Sequence, residues 1–116
     1  MPPKSTDLDY RPSYLAATLT SLAVFVLYLA TLAPSTAMWD TSEYISAAYV
    51  LGLPHPPGNP LFVLLGRVAT LVPFGSVAVR VNSLAALCSA GTAAVWFLVA
   101  ERVLARRLTL RLTRLA

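Results

Sequence analysis

Between Trp39 and Arg80 the chain gathers two carboxylates at i and i+3, Asp40 and Glu43, its single histidine, His55, and two arginines, Arg67 and Arg80. A carboxylate within reach of a hydroxyl can take its proton as the oxygen becomes a nucleophile. An imidazole and guanidinium groups can carry the negative charge that develops on a leaving phosphate. Each residue also has a plainer use. Asp40 and Glu43 have capping-box spacing, with Asp in place of Ser or Thr. His55 can be a hydrogen-bonded loop residue, and Arg67 and Arg80 can snorkel to lipid headgroups. Location favours chemistry: the acidic pair lies a few residues past an apolar run, where charges converge beside an apolar surface instead of dispersing into solvent. His55 is fixed between Pro54 and Pro56, which restricts the backbone on both sides. One histidine with two carboxylates does not define a metal-ligand pattern, so no metal is expected. No cofactor is implied either, since there is no P-loop or glycine-rich phosphate cradle.

These residues must be positioned by local elements. A short helix is expected from Thr41 to Leu51, capped by Asp40 and Glu43 and stopped at Gly52. Pro54 to Pro57 is stiff and extended. Asn59 can cap the next helix, with Pro60 in its first turn; "PLFVLLGRVATLV", Pro60 to Val72, is apolar but too short to cross a bilayer and stops at Pro73. It reads as an interfacial or re-entrant helix. Ser76 is placed to cap the helix that follows.

With 57% hydrophobic and 12% charged residues over 116 positions, and a mean hydropathy of +0.67, the chain has the composition of a membrane protein. Tyr14–Ala33, "YLAATLTSLAVFVLYLATLA", and Ser83–Ala100, "SLAALCSAGTAAVWFLVA", carry no charge and read as two transmembrane helices, the second extending over 77–104. The first is read as a retained span, because a signal peptide has a shorter apolar core and Asp7 and Asp9 sit in the leader. The division is therefore a leader 1–13, a span 14–33, an outer loop 34–76, a span 77–104 and a basic tail 105–116. Small residues recur every four positions at Ala85, Ser89, Ala93 and at Ala86, Ala90, Ala94, which suits packing against another helix. Cys88, the single cysteine, reads as a small buried hydrophobe and can form no internal disulfide.

Lys4 and Arg11 precede the first span, and Arg102, Arg106, Arg107, Arg111 and Arg114 follow the core of the second, so both termini are expected in the cytoplasm. The loop then lies outside. The tail places Leu104, Leu108, Leu112 and Leu115 on one helical face and Arg107, Arg111 and Arg114 on another, as for a helix on an anionic leaflet; a strand and a solvated basic tail are the alternatives. The net charge of +4 does not indicate nucleic acid, since the arginines flank apolar runs rather than covering a soluble face.

"WDTSEYISAAYVLGLPHPPGNPLFVLLGRV", followed by "RVNSLAAL", resembles the start of a family of bacterial many-span membrane proteins related to a transmembrane protein O-mannosyltransferase of animals, within the GT-C glycosyltransferases. The likeness rests on the acidic pair after the first span and the HPPG motif before a short helix. It covers Ala33 to about Ala90 and hardly touches the leader or the tail. It implies transfer of a sugar, mannose among the choices, from a polyprenyl-phosphate donor to a hydroxyl of a protein or glycan acceptor on the outer face of a bacterial inner membrane. Carried over by motif position, Asp40 is the base and Glu43 its neighbour or substitute, with His55, Arg67 and Arg80 for the donor phosphate. Two spans cannot enclose donor and acceptor, so the chain is expected to be an N-terminal portion of a GT-C-like fold, inactive without the remaining helices. The rival readings are a two-span accessory protein and a transporter fragment with a re-entrant loop.

Overall fold

Runs of Leu, Ala and Val interrupted by Pro and Gly produce four helices in the computed structural model, which describes residues 10–36 and 39–115, with side-chain surroundings up to residue 107. α1 covers Tyr14–Ala30, α2 Thr41–Val50, α3 Pro60–Thr70 and α4 Val77–Leu115. The described residues contain no strand, in keeping with the all-α expectation. The leader charges Lys4, Asp7 and Asp9 lie outside the described residues, as do the side chains of Leu108, Arg111, Leu112, Arg114 and Leu115.

α1 stops short of the expected Ala33. Its last turn tightens, with the amides of Thr31 and Leu32 donating to the carbonyls of Leu27 and Leu29, and Pro34 follows. The helix has 17 residues, a length of about 26 Å against the ~30 Å of a hydrocarbon core. α4 is different. Its stretch Val77–Arg107 is the one described helix long and apolar enough to cross a membrane. Ser76 caps it as expected, its Oγ accepting the Val79 amide at 3.2 Å. The helix continues unbroken through Leu115, so the tail is helical rather than a strand.

Two compact units divide the chain, Phe25–Cys88 and the pair of segments Met1–Val24 with Ser89–Ala116. In the first, α2 packs on α3 at a point where both helices carry very small side chains. Ala48 is fully buried, and a Cβ added to Gly66 would lie 2.7 Å from the Ala48 Cβ. Ile45, Ala48 and Val81 form the core there, with Phe62, Val77 and Ala78 against it. Asn82 on α4 donates to the Ala33 carbonyl at 3.0 Å, which ties the chain leaving α1 to α4.

The second unit is joined by one acid. Glu101 accepts hydrogen bonds from the Tyr10 hydroxyl at 2.9 Å, the Ser13 amide at 3.1 Å and the Ser13 hydroxyl. A carboxylate at the N-terminus of α1 is also favoured by that helix's dipole. Arg102 lies over the Tyr10 ring at 4.6 Å. Further along, the Ser21 hydroxyl donates to the Ala90 carbonyl at 2.8 Å, and Ala17 and Ala90 are buried.

Of the two small-residue rows on α4, the one containing Ala86 and Ala90 is buried, while Ala85 and Ser89 are exposed. Cys88 shares the exposed side, which corrects the expectation of a buried thiol: the packed row lies at positions 86 and 90, and a residue two positions from each points elsewhere on a helix. Large apolar side chains are also exposed, among them Leu15, Leu19 and Leu22 on α1 and Val95, Trp96 and Val99 on α4. Apolar surface on that scale marks contact with a membrane or with other protein.

Candidate functional site

Glu43, on the first turn of α2, does not reach back to cap its own helix. Its Oε1 accepts the backbone amide of His55 at 2.6 Å, and its Oε2 lies 2.8 Å from the His55 Nδ1. The expected capping box is therefore not formed, and there is a local reason on each side. Asp40 occupies the N-cap position with φ −75° and ψ 1°, outside the extended backbone typical of a cap, and its side chain makes no cap hydrogen bond. Glu43 meets two donors of His55 instead, brought to it by the turn through Pro54 to Gly58. In that turn the Pro56–Pro57 peptide is cis, Gly58 has φ 73°, and its amide donates to the His55 carbonyl at 2.9 Å.

The second carboxylate is close by. Asp40 Oδ2 lies 3.9 Å from His55 Nε2, so the imidazole stands between two carboxylates, bonded to one and near the other. The hydrogen bond that the His55 ring donates to Glu43, with that carboxylate's negative charge and a smaller contribution from Asp40, raises the His55 pKa above 6.5; partial burial opposes this. The same contact, together with the His55 amide, holds Glu43 below 4.5. Protonated His55 thus adds stability below pH 6.5 that is lost as pH rises through its raised value, and ionised Glu43 adds stability above pH 4.5 that is lost as pH falls through its lowered value. The ion pair is complete between those two limits. Because His55 is the chain's single histidine, its ring proton resonance reports the titration directly. Its midpoint should lie above 6.5, and Glu43→Gln should move it back toward that value; an unshifted midpoint in the parent chain would show that the pair is not formed.

Asp40, Glu43 and His55 each offer a ligand atom within 4.8 Å of the others, so they have the spacing to hold a cation. His55 Nδ1 is already engaged by Glu43, which leaves Nε2 and the Asp40 carboxylate as the facing pair. Beside Asp40 opens a cleft of ≈ 360 Å³ lined by Trp39, Asp40, Thr41 and Tyr44 with Phe62 and Asn82 among its other walls. Asn59, at the N-cap of α3, makes no side-chain cap bond; its amide donates instead to the Tyr44 hydroxyl at 2.7 Å. Tyr44 also meets the His55 ring and the Phe62 ring edge-on, at 6.0 and 5.7 Å. These contacts hold the carboxylate side of the loop against α3.

The two arginines are not brought to that trio. Arg67 donates to the Tyr49 carbonyl at 2.6 Å and lies over the Tyr49 ring at 5.8 Å, near the far end of α2. Arg80 donates to the carbonyls of Thr70, Phe74 and Gly75, at 2.7, 2.7 and 2.8 Å, and so satisfies acceptors at the end of α3 and in the turn after it. Sequence spacing could not show this, since the acceptors are backbone atoms and any residue type could supply them.

An all-helical segment with an acidic pair, a histidine-proline turn and one membrane-length helix now has its relatives. Residues 40–114 match the profile of the family described as Protein O-mannosyl-transferase TMEM260 N-terminal domain, and the chain belongs to that family. It is 46% identical over 88 residues to "Protein O-mannosyl-transferase TMEM260" of Mus musculus, covering 72% of this chain and 12% of the mouse protein. It is 34% identical over 62 residues to "Protein O-mannosyl-transferase tmem260" of Dictyostelium discoideum, covering 53% of this chain and 8% of that protein. Both relatives are eukaryotic. The chain thus spans about an eighth or less of their length, and the family match reaches through the arginine-rich tail, farther than the sequence motifs alone extended it. No solved structure matches.

Proposed function

We propose that this segment carries the catalytic base of a membrane glycosyltransferase that moves mannose from a polyprenyl-phosphate donor to a hydroxyl on a protein acceptor. The observation that supports it best is the unequal state of the two carboxylates. Both oxygens of Glu43 are taken by His55, whereas Asp40 has no cap bond and borders the cleft. Asp40 is therefore the carboxylate available to an acceptor hydroxyl. In this reading the acceptor oxygen attacks the anomeric carbon as Asp40 takes its proton, the bond from that carbon to the donor phosphate breaks, and configuration inverts.

Inversion places base and leaving group on opposite faces of the sugar. His55, 3.9 Å from Asp40, is on the side of the base. We therefore give His55 a positioning role, holding Glu43 and the histidine-proline turn, in place of the phosphate contact suggested by the sequence. Arg67 and Arg80 shape the loop through the carbonyls they meet. Charge for the leaving phosphate then comes from helices outside this segment, which by itself is inactive.

A chimaera tests the reaction class: residues 1–116 replace the corresponding region of the mouse relative. Membranes holding it should transfer label to a peptide hydroxyl from polyprenyl-phosphate mannose and not from a nucleotide sugar. Transfer only from the nucleotide sugar would overturn the donor assignment.

The same reading places α1 and α4 across the membrane, both termini in the cytoplasm and the loop on the outer face. Exposed apolar side chains along both helices and the arginines at positions 102, 106 and 107 support that arrangement. A cysteine introduced at Ser35 or Asn59, in a chain with Cys88→Ala, should react with an impermeant maleimide in intact cells. Labelling only after permeabilisation would reverse the orientation.

A further inference from the structure

We infer that the indole of Trp39 is a stacking platform for a pyranose ring in the cleft beside Asp40, an assignment that rests on the glycosyl-transfer reading above. Trp39 is 85% exposed, yet it lines the cleft with Asp40, Thr41, Tyr44 and Asn82. Its backbone has φ 59°, the left-handed region that a bulky side chain rarely adopts. Burial does not account for that conformation, because the ring it positions is left open to its surroundings. Strain of this kind is held where a side chain must point in one direction.

The chemistry of the walls matches a sugar. A pyranose has an apolar face of C–H groups and a rim of hydroxyls, and an aromatic face with its negative quadrupole attracts the former. The carboxylate of Asp40 and the side-chain oxygen of Asn82, whose amide nitrogen is bonded to the Ala33 carbonyl, offer acceptors to the latter, and the Tyr44 hydroxyl, which accepts from Asn59, offers its proton. A volume of ≈ 360 Å³ lies at the small end of the range of roughly 300–1,000 Å³ for small-molecule sites, which suits one sugar ring rather than an oligosaccharide. Trp39 immediately precedes Asp40, so a ring seated on the indole is held next to the proposed base. Stacking requires only the ring face, and hydroxyl configuration is left to the polar walls.

Saturation-transfer NMR on the whole chain in detergent tests this, with methyl α-mannopyranoside as the probe and sorbitol as an acyclic polyol control. The pyranoside should receive saturation most strongly at the ring C–H protons of one face, and sorbitol should receive little. Trp39→Ala should weaken pyranoside binding about three- to tenfold, the size of an aromatic contact, and Trp39→Phe should keep most of it. The two readings separate in the chimaera: normal transfer by Asp40→Asn, with pyranoside binding still weakened by Trp39→Ala, would contradict the base and not the platform. Equal saturation of the pyranoside in the parent and Trp39→Ala chains would overturn the platform. So would equal saturation of sorbitol and pyranoside. In a Trp96→Phe chain, Trp39 emission quenched by brominated lipid and unaffected by the pyranoside would assign the indole to the membrane interface instead.

Discussion

Asp40→Asn should lower mannosyl transfer by the chimaera about 10²–10⁴-fold, the contribution typical of a positioned general base, while leaving folding and donor binding nearly unchanged. Asparagine keeps the size and hydrogen-bonding shape of the side chain and removes its basicity. The usual objection to such a variant is loss of a helix cap, and here it has little force because the Asp40 side chain makes no cap bond. Glu43→Gln should act differently. It weakens the contact with His55 and loosens the turn, so its loss of transfer should be smaller and should accompany the fall in the His55 titration midpoint. Near-normal turnover by Asp40→Asn, with transfer abolished in Glu43→Gln, would exchange the two roles.

The second large effect is on the fold beneath the site. Gly66→Ala places a Cβ 2.7 Å from the Cβ of Ala48, an atom fixed to its backbone and fully buried, so α2 and α3 must separate. Overpacking of this kind costs roughly 1–3 kcal/mol. Alanine's better helix propensity offsets up to about 1 kcal/mol of that, leaving a net loss for all but the mildest strain. Gly91→Ala is the matched comparison, since nothing lies within 4 Å of the added Cβ, and it should be neutral or stabilising. Thermal unfolding in detergent should rank Gly66→Ala below the parent and Gly91→Ala at or above it. Equal midpoints for the two variants would mean that α2 and α3 are not in close contact. Because α2 carries Asp40 and Glu43 at its start and α3 follows the His55 turn, separation of the helices should also reduce transfer.

Much of this architecture is legible in local pattern. Pro60 starts α3, Ser76 caps α4, and the apolar run before Pro73 forms a helix, because each signal acts within one turn of chain. The stop of α2 is a near miss with a physical cause: Leu51 takes the left-handed conformation, φ 55°, and Gly52 returns its amide to the Ala47 carbonyl. Glycine permits that geometry but does not compel the chain to use it.

The site was legible as a set of residues and not as a set of bonds. Capping-box spacing describes what Glu43 can do within its own helix, whereas its observed partners are twelve residues away. That contact depends on the path of the proline turn, for which spacing gives no measure. Arg67 and Arg80 were harder still, because their acceptors are main-chain carbonyls. Gly66 and Ala48 leave no chemical signature, only the absence of side-chain volume, and their meaning depends on knowing that α2 and α3 meet.

The central claim is that Asp40 supplies the carboxylate that takes the acceptor's proton, and chemical rescue tests it most directly. In the chimaera, Asp40→Gly removes the carboxylate and leaves space for a small acid. Added formate should restore a measurable share of the transfer rate to Asp40→Gly, saturably and with little effect on the parent, and should not restore Glu43→Gly. Near-normal transfer by Asp40→Gly without formate, or rescue confined to Glu43→Gly, would contradict the account.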